Sequence, residues 1–412
     1  MPRHTKPRRR LTALFALLLF AAAARAQGGA GVRTLPSPAG QASGQPFLST
    51  GRGGRLYLSW VEKLADKRSA LRFSVREGAG WTPPRTAAEG ENWFVNWADF
   101  PTLVALPDGS LAAHWLVRRG AGAFTFDVRV ARSFDGGRTW TEPLTPHRDG
   151  KEAEHGFVSM FPTAGRALGA VWLDGREQKP PAPGSAHGHA HGDMTLRYAA
   201  VSREGGLVAE TLLDARVCEC CQTSAAVTSE GTLVVYRDRS DKEIRDIYYT
   251  RLTASGRWTE PRPVHADGWQ LDGCPINGPS VAARGRRAAV AWFTMAGGSP
   301  HLRVAFSKDA GASFGAPIEA GDGDPLGRVD VLLLEDGDAA VCWLERTEGG
   351  AEVRVRRVSA SGTRGASVKV AAPGAARSSG FPQMAQHRGR LVFAWTSPQG
   401  VLTAETGLPP VK

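Results

Sequence analysis

Arg55-Leu-Tyr-Leu-Ser-Trp60 is a short apolar run that ends on an aromatic residue and is bounded by glycine-rich turns. It reads as a strand of an antiparallel sheet. The same kind of run recurs as Ala288-Ala-Val-Ala-Trp292 and Arg390-Leu-Val-Phe-Ala-Trp395. Aligned on the last aromatic, seven copies fall at Trp60, Trp115, Trp172, Tyr236, Trp292, Trp343 and Trp395, spaced by 55, 57, 64, 56, 51 and 52 residues. Each is preceded by a strand and a turn, as in Phe100-Pro-Thr-Leu-Val-Ala-Leu-Pro-Asp-Gly109. The first six are followed by a third strand, such as Val128-Arg-Val-Ala-Arg132, and usually by a short fourth.

Four-stranded antiparallel units of this size must bury both faces against their neighbours, which makes them blades. The spacing predicts an all-β chain, a β-propeller of seven blades, with six as the alternative count. The last unit ends after Val401-Leu-Thr-Ala-Glu405 without a fourth strand, whereas Gly31-Val-Arg-Thr-Leu35 is a strand without a unit. Residues 31–35 are therefore expected to complete the last blade and close a single domain spanning 27–412.

The 412 residues are 42% hydrophobic, enough for a large core rather than a disordered chain. The formal charge of +11 (51 basic against 40 acidic residues) is concentrated at one end. Residues 1–26 hold six basic residues and no acid, so the remainder carries +5 and no basic run, which argues against a nucleic-acid partner. Arg8-Arg9-Arg10, the apolar run Leu11–Ala24 and Ala24-Arg25-Ala26 have the order of a signal peptide. No later segment approaches a spanning length. The expected product is exported, periplasmic or secreted, with no transmembrane segment in the mature chain.

Ser133-Phe-Asp135-Gly-Gly137-Arg-Thr139-Trp140 matches the pattern S-x-D-x-G-x-T-W, and Ser307-Lys-Asp309-Ala-Gly311-Ala-Ser313-Phe314 is a softer copy 174 residues later. On these turns the chain resembles the sialidase superfamily, whose bacterial neuraminidase repeat, or Asp-box, has this form. The box is a turn, with the aspartate capping backbone amides, so it marks fold rather than chemistry. The resemblance implies that the opposite face, made of second-to-third loops and blade-to-blade connections, carries the site. It also implies three arginines for a carboxylate, an aspartate acid and a glutamate-activated tyrosine. Two departures stand out. Gln45-Pro46-Phe47 replaces the family's early Arg-Ile-Pro, and none of the five tyrosines lies in the last three units.

On that face, Glu62, Asp174, Asp238 and Glu345 stand two residues beyond the aligned aromatics. Glu62, Asp99, Asp174 and Asp238 are the catalytic candidates, because a glycosidic reaction needs paired carboxylates. Arg176, Arg237, Arg239 and Arg346 are the anionic-ligand candidates, since a guanidinium meets a carboxylate bidentately. Asn96 and Trp97, on a blade connection, join them. The expected partner is a carbohydrate or another small anionic ligand.

Cys342 lies within a strand, but Cys218, Cys220, Cys221 and Cys274 occupy two successive connections of the loop face. In an exported chain they read as two disulfides. Alternatively, with His187, His189, His191 and Met194 on a neighbouring loop, they read as a site for copper or another soft metal, since thiolate, thioether and imidazole suit such ions. The sequence leaves both open.

Overall fold

The computed structural model describes residues 1–2, 31–178 and 192–408. All but the first two residues of the expected export segment, and the loop with His187, His189 and His191, lie outside the described residues. The fold is the expected β-propeller of seven blades, built from four-stranded antiparallel sheets. Blade 1 runs Ser43–Thr50, Leu56–Lys63, Ser69–Glu77 and Arg85–Gly90; blade 3 runs His155–Pro162, Leu168–Asp174, Met194–Val201 and Leu207–Val217. Blades 4, 5 and 6 repeat the pattern from Ser224, Ser280 and Pro325. Blade 2 has three regular strands, Thr102–Ala105, Leu111–Arg118 and Phe126–Ser133, and its fourth is reduced to a bridge between Val130 and Leu144. In blade 7, Gln383–His387, Arg390–Ser397 and Gly400–Gly407 take Arg33–Leu35 as the outer strand, with Thr34 opposite Ala404. No helix among the described residues is long and apolar enough to cross a membrane.

The aligned aromatics all lie on second strands. Trp60, Trp172, Tyr236, Trp292 and Trp343 are fully buried between blades, where large rings fill the wedge that separates neighbouring sheets. First strands line a central cavity of about 340 Å³, to which every blade contributes a polar residue: Ser49, Thr102, Ser159, Ser224, Ser280, Asp330 and Gln383.

The turns at Asp135 and Asp309 share one geometry. Asp135 accepts hydrogen bonds from the amides of Arg138 and Thr139 at 2.9 and 3.0 Å, and Asp309 accepts from the Ser313 amide at 2.9 Å. Trp140 then packs edge-on against Phe73 of the preceding blade, and Phe314 does the same to Tyr249. Gly137 holds φ +84°, and a Cβ there would meet the Phe73 ring at 2.3 Å, so the turn needs a glycine.

Candidate functional site

The recurring acids have a packing partner. Residues i and i+2 share a face of a strand, so a carboxylate two places beyond a tryptophan reaches that residue's indole N–H. Trp60 donates to Glu62 at 3.4 Å, Trp172 to Asp174 at 2.7 Å and Trp343 to Glu345 at 2.5 Å. In blade 5 the Trp292 indole finds Asp267 at 2.7 Å, and in blade 4 the Tyr236 hydroxyl donates to Asp214 at 2.5 Å. Glu62 and Asp174 thus sit on second strands, away from the central cavity and from each other. Asp238 is half-buried in blade 4, where burial and the neighbouring Asp214 push its carboxyl up to about 7.

Three of the four candidate arginines are tied into the fold. Arg176 forks onto Asp174 at 2.6 Å and also meets Asp149 at 3.1 Å and Glu210 at 2.6 Å. Arg239 is clasped by Glu243 and Glu219. Arg237 is 1% exposed and donates to three backbone carbonyls, of Asn277, Arg245 and Phe293. Arg346 is exposed and pairs with Asp324 at 3.1 Å. The structure does not bring the four together.

Instead it gathers a different set beside the cavity, to whose lining Phe100 and Phe381 belong. The segment Asn96–Phe100 reaches across from blade 2: Asn96 accepts the Ala98 amide to turn the chain, and Gln222 of the fourth connection donates to the Ala98 carbonyl. Trp97 stacks on Phe381 of blade 7 at 6.0 Å, and Phe100 lies 6.0 Å from the same ring. Over Trp97, at 4.8 Å, sits the guanidinium of Arg328 from blade 6. Arg328 is 8% exposed, and its Nη1 donates to the carbonyls of Ala376 and Gly380. Among the described residues no carboxylate pairs with it. Burial and the nearby Arg377, another cation, lower it to about 10. Arg328 carried no strand-end signal, because three separate blades must close before it meets Trp97.

Asp99 lines the cavity but acts first as a clamp. Its Oδ1 accepts the Phe157 amide at 2.8 Å, its Oδ2 is buried without a partner, and burial raises it to about 7. Two other blade entrances use the same device. Asn277 accepts the Arg328 amide at 2.8 Å and Thr396 accepts the Gln45 amide at 3.1 Å, and in all three cases the donor has positive φ (Phe157 +53°, Arg328 +54°, Gln45 +51°).

The cysteines converge. Cys218 Sγ lies 3.8 Å from Cys220 and 3.4 Å from Cys221, and Cys274 comes within hydrogen-bonding reach of Cys220. Burial pushes Cys218 up to about 11. Met194 is fully buried in an apolar cluster with Leu173 and Val217, and pairs across the sheet with Val217, the residue before Cys218. A second polar cluster, not foreseen from the sequence, fills the gap between blades 2 and 3. There the rings of His147 and His155 stack at 3.7 Å among Asp127, Asp149 and Asp174. Two histidines eight residues apart, flanking an aspartate, were the available signal.

The likeness to solved structures is one of fold. The chain is similar to an ulvan lyase described as a new family of polysaccharide lyase, with 12% identity, 91% of this chain and 96% of that one covered, and a TM-score of 0.56. It is also similar to a protein of unknown function from Dyadobacter fermentans, with 16% identity, 92% and 97% covered, and a TM-score of 0.51. The NanB sialidase from Streptococcus pneumoniae is a looser match, with 9% identity, 91% and 94% covered, and a TM-score of 0.48. No family model and no curated protein matches the chain.

Proposed function

We propose that this chain is an exported propeller whose loop face binds an anionic carbohydrate at the mouth of the central cavity. The observation that carries this reading is Arg328: a buried guanidinium with no carboxylate partner among the described residues, beside Arg377 and over Trp97. Burying an unpaired cation is costly unless a ligand supplies the opposite charge. The donors that Arg328 leaves unused suit a carboxylate or sulfate. Trp97 and Phe100, both half-buried, offer flat apolar faces against which a sugar ring can lie, with the buried Phe381 packed behind them. The polysaccharide named in the similar lyase fold supports a glycan as the source of the anion.

The reading is of binding before catalysis. Glu62 and Asp174 are occupied by indole groups, and Asp99 by a backbone amide, so these three candidates do not form a hydrolytic pair at the mouth. A fluorogenic sialoside is expected to turn over slowly or not at all. Titration of acidic and neutral oligosaccharides into the full chain is the test. Uronate or sialoside ligands should bind and neutral ones should bind more weakly. Equal affinity for both would remove the anionic reading.

A further inference from the structure

Four of the five cysteines meet on the rim between blades 4 and 5, and the glycan site makes no use of them. The local sequence explains the convergence. Cys218, Cys220 and Cys221 lie on the connection into blade 4, where Cys218 N–H donates to the Arg237 carbonyl and fixes the turn. Cys274 lies on the next connection, which returns to the same rim at Asn277, whose amide points at Cys221 Sγ from 3.4 Å.

Three sulfurs, of Cys218, Cys220 and Cys221, have ligand atoms within 4.8 Å of one another. The separations of 3.4 and 3.8 Å from Cys218 are far longer than a disulfide bond, which is about 2.05 Å. They are close to the spacing of roughly 3.8–4.0 Å that metal–sulfur bonds of about 2.3 Å impose at tetrahedral or trigonal angles. A second observation concerns the charge beside the sulfurs. Arg237, 1% exposed, donates hydrogen bonds only to carbonyls, and among the described residues no carboxylate pairs with it. Arg245, also buried, donates to Cys218 Sγ at 3.3 Å. A thiolate cluster supplies the negative charge that Arg237 lacks. Arg237 in turn offsets part of the net charge of three thiolates around a monovalent ion, whereas Arg245 is shared with Glu219 and Glu243.

We propose that Cys218, Cys220 and Cys221 hold a soft metal ion, with monovalent copper as the ion they fit and Cys274 as a rim ligand. Thiolates select soft ions over calcium and magnesium. Three close sulfurs with a fourth at the rim favour copper(I), because structural zinc demands four ligands in one tetrahedron. Cys274 is exposed and Cys220 half-buried, while Cys218 and Cys221 are buried, so the ion enters from the loop face.

The test uses the reduced full chain, titrated anaerobically with copper(I) held by a competing chelator, and separately with zinc(II). The expected result is one copper(I) per chain with sulfur-to-copper absorption in the near ultraviolet. Cys218→Ser and Cys221→Ser should each abolish uptake, and Cys342→Ala should leave it unchanged. Arg245→Gln should weaken it about 10–100-fold, as changes to groups supporting a ligand do. Should the buried variants fail to fold, alkylation of the unaltered chain decides, because bound copper must shield Cys218, Cys220 and Cys221 together. Two disulfides among the four cysteines in the native chain, with no metal taken up after reduction, would overturn the proposal. Preference for zinc with Cys274 indispensable would overturn the copper assignment.

Discussion

Two buried clusters in this propeller contain residues that ligate metals, and they differ in what is left over. Between blades 2 and 3, His147 Nε2 accepts the Val128 amide at 3.3 Å, and His155 spans from the Phe126 carbonyl at 3.1 Å to Asp149 at 2.9 Å. Arg176 closes the cluster by binding Asp149 and Asp174, so two of its three aspartates already hold a cation. At the rim between blades 4 and 5, the sulfurs face one another, and among the described residues no acid pairs with Arg237. The comparison teaches that residue type makes a cluster, whereas unspent charge and unused lone pairs make a site. A cation between Asp149 and Asp174 would have to displace Arg176; one among the cysteines would relieve Arg237.

The largest expected effect breaks the filled cluster. His155→Ala removes the bridge between Phe126 and Asp149 and leaves carboxylates buried without it. Stability should fall by about 3–5 kcal/mol, the usual cost of losing one partner of a buried pair. Chemical denaturation measures the loss, and the metal content of the chain should not change. If copper uptake falls with His155 while the fold survives, the distinction between the two clusters is lost.

Next comes the other arginine without an acid. Arg328→Met keeps the apolar cover over Trp97 and removes the charge. Affinity for an acidic oligosaccharide should drop by about 1.5–3 kcal/mol, the range for hydrogen bonds to charged groups, and neutral sugars should bind as before. Calorimetric titration separates the two ligand classes. Unchanged affinity for the acidic ligand would return Arg328 to a purely structural role.

What the sequence revealed follows from distance along the chain. Blades, their number and the aromatic wedge positions were legible because each depends on a repeat within one unit. The convergence of Cys218, Cys220, Cys221 and Cys274 was legible too, since successive connections of a propeller share one rim. The recurring acids were visible but read as pocket residues. Strand geometry already implied the answer, because Trp172 and Asp174 share a face and the indole N–H needs an acceptor. Arg328 over Trp97 was not legible, since blades 2, 6 and 7 all contribute to it.

Acid should probe the buried histidines, His147 in the filled cluster and His114 outside it, more gently. His147 is lowered to about 3 by burial and by the stacked His155, and His114 of blade 2 is lowered to about 3 by burial. Both bind protons more readily when unfolded, where the pKa is about 6.5. Their contribution is therefore complete above pH 6.5 and is lost as the pH falls toward 3. The thermal midpoint should decline over that window, and His114→Phe should flatten the decline. A slope identical to that of the unaltered chain would exclude His114 as a source.

The smallest effect concerns the three entrance clamps, where the comparison is internal to the fold. Asp99, Asn277 and Thr396 each accept one amide from a residue with positive φ in the following blade, yet only Asp99 is ionisable. Asn277 shows that an amide oxygen suffices. Asp99→Asn keeps the bond to Phe157 and should cost no more than about 1 kcal/mol at pH 5, within the net worth of one hydrogen bond. The pH dependence then has a definite sign. Burial raises Asp99 to about 7, above its unfolded value near 3.8, so its stabilisation is complete at low pH and is lost as the pH rises through 7. The asparagine variant escapes that loss, and its stability relative to the unaltered chain should improve from pH 5 to pH 8. A constant difference across that range would mean that Asp99 ionises in place without penalty, which would require its partnerless Oδ2 to be reached by a ligand or by water rather than closed off as a clamp.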